Sequence, residues 1–180
     1  MSLTRLETDR LILRKPDARD TAAYVDFFSS DRAKYIELMR ADDAWRAFAT
    51  EIGHWEIRGW GMFTVCLKDA EDIAIGLVGP WFPAGWPEKE IGWIMYPNGE
   101  GKGLAYEAAS AALQHAINDL GWESAVSYID KDNTRSIKLA ERLGAKIDPS
   151  AQSPKHEDMH VYRHAAADWR DADGGMEAYS

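Results

Sequence analysis

An α/β domain built on a mixed sheet is the fold class that the sequence predicts, on three observations. Short apolar runs such as MFTVCLKD, IAIGLVGPW and SAVSYI have the length and composition of strands. Longer segments, 42–58 and 104–120, carry apolar residues three and four apart, the helical period. The two kinds of segment interleave along a single chain of 180 residues, enough for one sizeable core.

The elements follow in order. In LETDRLILRKP, Leu6, Leu11 and Leu13 have polar neighbours and read as one opening strand that stops near Pro16. Asp17 to Phe28 reads as a helix, with Ala22, Ala23, Val25, Phe27 and Phe28 as its apolar side. Asp42 to Arg58 reads as a second, with Trp45, Phe48, Ile52 and Trp55 forming its stripe and Asp42 and Asp43 suited to its electropositive start. Two strands joined by the polar turn KDAED come next, then the Pro/Gly/Trp loop WFPAGWPEK and the strand EIGWIMY. A helix from Leu104 to Leu120 stops at Gly121, SAVSYI is a strand, and Asn133 to Leu143 is a short helix ending at Gly144. AKI and HEDMHVYRHA supply the last two strands, and an acidic tail from Ala166 to Ser180 is expected to be loosely held.

The net charge of −9 argues against non-specific nucleic-acid binding, which needs a basic stripe to displace counterions. It is compatible with a cationic substrate, and solubility alone is the plainer explanation. No apolar run approaches the roughly 20 residues of a membrane span, and the N-terminal MSLTRLETDRLILRK lacks the pattern of a secretion signal. Cys66 is the lone cysteine, in an apolar strand where it reads as core, and the histidines are scattered, so no metal cluster is expected. The expected location is the cytoplasm.

The segment EIGWIMYPNGEGKGLAYEAASAALQHAINDL joins a strand to a long helix through Gly99, Gly101 and Gly103. The first N–H groups of a helix have no intrahelical partners, and with the macrodipole they present about half a positive charge. Glycines there remove the side chains that would keep a bulky anion from the backbone, so the turn can cradle a pyrophosphate. It can equally be a turn into a buried helix, with no ligand. It is not a P-loop, because Lys102 is followed by Gly103 and Leu104 rather than Ser or Thr. Nor is it a dinucleotide fingerprint, whose third small residue falls on Tyr106 or Leu104. Ala105, Ala108, Ala109, Ala112, Leu113, Ala116 and Ile117 make the helix's core-facing stripe.

GEGKGLAYEA resembles the acyl-CoA pyrophosphate motif of the GNAT superfamily of acetyl-CoA-dependent N-acetyltransferases, Q/R-x-x-G-x-G/A, with Glu100 to Ala105 in its place. TDRLILRKPDARDTAAY resembles the family's opening strand and helix, GMFTVCLKDAEDIAIGLVG its central hairpin, and EIGWIMYP its fourth strand. DKDNTRSIKLAERLGAK resembles the segment with the later cofactor contacts, so the likeness spans about residues 4 to 164. The branch most similar is that of the ribosomal-protein-alanine acetyltransferases. One departure is Glu100, which stands where the pattern has Gln or Arg; a carboxylate beside a pyrophosphate is repulsive unless it points to solvent.

The resemblance implies one acyltransferase domain over 1–165, a mostly antiparallel sheet whose central strands splay, and direct attack of a primary amine, either a protein or peptide N-terminus or a small-molecule amine, on the thioester of acetyl-CoA. It places cofactor contacts at Ile94, Met95 and Tyr96 on the strand, at Gly101, Lys102, Gly103, Leu104 and Ala105 in the turn, and at Asn133. Glu90, the first residue of that strand, is the candidate base for the amine, or else a solvated strand end. The tyrosine that many members use as general acid would fall on Ala140, so Ser136 is the candidate partner of the leaving thiol; it is also an ordinary residue for the first turn of a helix. Asn133 can cap that helix, touch the cofactor, or both. Trp81 and Trp86 are the candidate substrate contacts, as aromatic faces can hold a cation, while core filling is the plain alternative for most of the eight tryptophans. A homodimer is expected to be possible, and no nucleic-acid or membrane partner. The rival functions are a non-catalytic acyl-CoA sensor, which would bind but not transfer, and a protein-interaction module with no cofactor.

Overall fold

The computed structural model describes residues 3–154 and 159–170. The strands are β1 (Arg5–Glu7), β2 (Leu11–Arg14), β3 (Phe63–Leu67), β4 (Gly76–Trp81), β5 (Glu90–Met95), β6 (Ser124–Asp130), β7 (Lys146–Ile147) and β8 (Met159–Ala165). The helices are α1 (Thr21–Phe28), α2 (Ala41–Arg58), α3 (Leu104–Gln114), α4 (Thr134–Arg142) and α5 (Ala167–Arg170). The sheet runs β1-β2-β3-β4-β5-β6-β8-β7, antiparallel at every junction except β5–β6.

The chain places apolar residues on both sheet faces, and each face takes its own layer. Leu11, Leu13, Phe63, Val65, Val78 and Ile91 pack with the small-residue stripe of α3 and with Trp122. Leu77, Met62 and Tyr96 pack on the other side with Tyr24, Phe27 and Phe28 of α1 and Phe48 of α2. Alanines at 108, 109 and 112 let α3 lie close to the sheet, and Ala116 does the same for the turn that follows it.

The single opening strand of the sequence reading is in fact a hairpin. Thr8, Asp9 and Arg10 separate β1 from β2, and the Thr8 N–H donates to the Leu11 carbonyl at 3.0 Å, turning the chain so that β1 pairs with β2. Trp45 is exposed, because the inward stripe of α2 is Ala44, Phe48, Glu51 and Trp55 and Trp45 sits one position off it. The long helix 104–120 is α-helical only to Gln114, and one π-helical turn, His115–Asp119, carries it to Gly121. The boundary drawn at residue 165 falls just before α5, whose Trp169 packs against the core; residues 171–180 lie outside those described.

Two ionic ties position the functional elements. Asp20, 2% exposed, receives both guanidinium nitrogens of Arg14 at 2.7 and 2.9 Å and the hydroxyl of Thr64 at 2.8 Å, fixing the start of α1 to β2 and β3. Glu107 in the first turn of α3 accepts from Thr8 Oγ1, the Arg10 N–H and Arg10 Nε. Arg10 also donates to the Lys102 carbonyl at 3.0 Å, so one side chain fastens both the glycine turn and the helix behind it.

The β5–β6 junction is where the sheet opens. Glu90 pairs with Val126, and beyond that the two parallel strands part. Ser127 Oγ spans the neck, donating to the Ile91 carbonyl at 2.7 Å. The splayed central strands expected from the resemblance are present.

Candidate active site

Alternation along β5 decides which backbone groups face the opening. The Tyr96 N–H donates to the Ile75 carbonyl on the β4 side, and Ile94 pairs with Leu77 in the same phase. The Lys89 and Ile91 carbonyls face β6, accepting from Val126 N and Ser127 Oγ. Trp93 and Met95 therefore turn their N–H and C=O groups into the gap, where no strand pairs with them. This corrects the expected contacts at Ile94 and Tyr96. Ile94 contributes its side chain to the cleft walls, while Tyr96 is 4% exposed with its ring against Phe27 in the core. Burial pushes its hydroxyl well above the usual tyrosine range.

Two connected cavities meet at the opening. One, about 700 Å³, runs from the gap towards the glycine turn and is lined by Arg32, Lys34, Arg135, Lys138 and Arg142 against Asp31 and Glu100. The other, about 290 Å³, lies between α1, α2 and the loop before β5. Its lining includes Glu37, Glu51, Glu90 and Asp130, and among the described residues that line it there is no Lys, Arg or His. Tyr35, Ile36, Trp93, Ile94, Asn133 and Ser136 line both.

At the head of α3, Gly103 occupies the N-cap position with φ +71°, a left-handed conformation that strains any residue bearing a Cβ. Among the described residues no side chain caps this helix, so its first N–H groups are open to solvent or a ligand. Gly103 and Ala105 line the basic cavity, with Tyr106 beside them and the Arg142 guanidinium 4.0 Å from that ring's centre. Gly101 and Lys102 are exposed in the same turn; Lys102 Nζ reaches the Asn98 carbonyl at 3.4 Å. Leu104 is a core residue, 2% exposed, and has only its backbone to offer. The Glu100 side chain is part-buried, 26% exposed. Its carboxylate lines the basic cavity between Arg32 at 3.0 Å and Arg135 at 3.4 Å, whose charges offset its own.

At the junction, Asn133 caps α4 by accepting from the Ser136 N–H at 3.2 Å, so its capping role is met while its side chain still borders both cavities. Ser136 Oγ accepts from Trp93 Nε1 at 3.2 Å, which leaves its own proton directed elsewhere. On the acidic side, Glu90 Oε2 accepts from Trp86 Nε1 at 2.7 Å, and Trp81 lines the wall. His54 of α2 fixes that loop: Nδ1 donates to the Trp60 carbonyl at 2.9 Å, Nε2 accepts from Phe82 N at 3.1 Å, and the ring stacks on Trp81. Using both nitrogens this way requires the neutral ring, and burial holds its pKa below the ordinary value. Among the described residues no group of His, Cys, Asp and Glu is placed to hold a metal ion, and no helix is long and apolar enough to cross a membrane.

Two groups of site residues escape a sequence reading. Arg135, Lys138 and Arg142 recur at spacings of three and four, so the basic face of α4 was visible as a stripe, whereas Arg32 was not. Glu51 lies on the apolar stripe of α2, 7% exposed, and its Oε2 has no hydrogen-bond partner among the described residues. Burial, then the charge of Glu90, pushes its pKa from 4.5 to about 8. A carboxyl raised in this way binds a proton in the folded state that the unfolded chain releases, so stability falls as pH rises from about 4.5 through about 8. Glu51→Gln is expected to leave melting unchanged below that window and to raise stability above it by roughly 1–3 kcal/mol, measured by thermal melts across pH; equal melting at high pH would contradict this.

Known proteins resemble the chain over most of its length. Residues 10–146 match the family model described as acetyltransferase (GNAT) domain. An uncharacterized N-acetyltransferase, YnaD, of Bacillus subtilis is 28% identical over 144 residues, 78% of this chain and 82% of that protein. An acetyltransferase structure from Agrobacterium tumefaciens superimposes with a TM-score of 0.84 at 33% identity, over 91% of this chain and 95% of that one. The ribosomal L7/L12 α-N-protein acetyltransferase RimL, solved with coenzyme A, shares the fold with a TM-score of 0.68 at 16% identity, over 88% and 95%. The chain belongs to the GNAT acetyltransferase family.

Proposed function

We propose that the protein is an N-acetyltransferase that moves the acetyl group of acetyl-CoA directly to a primary amine carrying positive charge. The division of charge across the junction carries this reading: a basic cavity ending at an uncapped helix meets an acidic, aromatic one at Trp93, Ile94, Asn133 and Ser136. Coenzyme A is multiply anionic and long, and the larger basic cavity suits it. RimL, with the same fold, was solved with that ligand. The ribosomal-protein branch rests on likenesses of the fold alone, so the acceptor is argued from the smaller cavity, whose carboxylates suit a cation.

In this mechanism the turn from Gly101 to Ala105 holds the pyrophosphate through helix N–H groups, with Lys102 and Arg10 as nearby charges. The unpaired edge of β5 at Trp93 and Met95 holds the pantetheine amides and offers an N–H to the thioester oxygen as it becomes an oxyanion. Glu90 takes one proton from the ammonium, held in place by Trp86. The freed nitrogen forms a bond to the carbonyl carbon, the C–S bond breaks, and the second proton passes to the sulfur with Ser136 as donor. Ser136→Ala is accordingly expected to lower kcat about tenfold with acetyl-CoA affinity retained; full turnover would remove Ser136 from the mechanism.

The test of the function is thiol release from acetyl-CoA in the presence of a panel of alkylamines, aminoglycosides and peptides with free N-termini. Acetylation of at least one amine supports the reading. Binding of acetyl-CoA with no transfer to any of them would favour the non-catalytic sensor instead. The proposal extends to a cytoplasmic setting and to a homodimer, for which the exposed Leu38 and Trp45 near the start of α2 are the support.

A further inference from the structure

Glu51 has no part in the steps above, yet it is the most confined carboxyl of the acidic cavity. It projects from α2 into a wall shared with Tyr24, Met62 and Trp81, and among the described residues no cationic side chain lines the space with it. The titratable groups that face it are Tyr24 of α1, Glu90 and Tyr96 of and beside β5, and Glu37 of the α1–α2 connection, which shares the cavity. All are acidic or neutral. An unpaired carboxylate is costly to bury, and the raised proton affinity of Glu51 expresses that cost. A cation entering the cavity would remove it.

We infer that Glu51 seats a second, non-reacting cationic nitrogen of the acceptor, so that the preferred substrate is a small dibasic amine with an aliphatic spacer between its two nitrogens. The inference rests on the transferase reading above and names its substrate class. The nitrogen at Glu90 must lose its charge before it attacks. A carboxylate devoted to holding that nitrogen as ammonium would stabilise the ground state against the transition state. An ion pair between Glu51 and a nitrogen that does not react persists through the reaction and contributes to both binding and orientation. Tyr24, Phe28, Met39, Met62 and Trp81 supply apolar and aromatic wall for the methylenes between. Protons balance as follows: Glu51 gives its proton to solvent when the ion pair forms, the reacting ammonium gives one proton to Glu90 and one to the departing sulfur, and the second nitrogen keeps all of its own.

The experiment compares propylamine, butylamine and pentylamine with the α,ω-diamine of each chain length, in wild type, Glu51→Gln and Glu51→Asp, at saturating acetyl-CoA. In wild type the best diamine is expected to exceed its matched alkylamine by about 30-fold or more in kcat/KM, and Glu51→Gln to bring that ratio near one by raising the diamine KM. Glu51→Asp, which withdraws the carboxyl by one methylene, is expected to move the optimum to a longer diamine. Acetyl-CoA calorimetry and melting of each variant show that it is folded. A diamine preference that survives Glu51→Gln, or a wild type that uses alkylamines as well as diamines, overturns the inference and leaves the transferase reading standing. Acetylation of no diamine overturns the inference, and only a negative result across the whole amine panel overturns the transferase reading as well.

Discussion

Glu90→Gln is expected to lower kcat by about 10²–10³ while acetyl-CoA binds as in wild type. The size follows from the work assigned to the carboxylate. An aliphatic ammonium is almost wholly protonated at neutral pH, and without an acceptor for its proton little nucleophile is present. The amide retains the volume of the side chain and an oxygen for Trp86 Nε1 at the same place, so the loop before β5 has no reason to move. Initial rates across pH separate the effects: the limb of the wild-type profile due to the base should vanish in the variant. Unchanged turnover with an unchanged profile would withdraw Glu90 as the base.

Gly103→Val is expected to weaken acetyl-CoA at least about 100-fold, or 2.7 kcal/mol. At φ +71° a β-branched residue is disfavoured by roughly 1–2 kcal/mol or more, so the turn shifts or holds a strained geometry. Either way the N–H groups of Leu104, Ala105 and Tyr106 lose their aim, and an isopropyl group stands where the anion would approach. Space alone would not forbid the change, since an added Cβ meets only Arg10 Nη2, at 3.9 Å. Gly144→Val is the control: φ is +81°, none of the described residues lies within 4 Å of an added Cβ, and Gly144 lines neither cavity. It should cost comparable stability and leave binding intact. Equal binding in both variants would remove the turn from the cofactor site.

What was legible in the chain was what depends on local pattern. The stripe of α3, the glycine turn and the Asn133 cap all follow from residues within one or two turns of each other, and the structure has them in place. The opening hairpin was missed because β1 is three residues long and its pairing depends on Thr8 turning the chain, below the resolution of apolar alternation. Trp45 lies off the inward face because the buried stripe of α2 runs through Glu51, and a buried carboxyl breaks the pattern that signals burial. The site suffered most where it depends on the third dimension. Residue types could not show that Trp93 and Met95, rather than Ile94 and Tyr96, turn their backbones to the gap, because that phase is set by pairing with β4. Nor could they show Arg32 and Arg135 meeting at Glu100, residues far apart in sequence.

The most direct test of the account is calorimetric titration of the protein with acetyl-CoA and, separately, with S-acetylpantetheine, which lacks the pyrophosphate. Saturable binding of acetyl-CoA and at least about 100-fold weaker binding of the truncated thioester are expected, since the basic cavity and the uncapped start of α3 would have nothing to hold. Equal affinity for the two, or heat from neither, would mean that the charge division is not a cofactor site and would contradict the transferase reading.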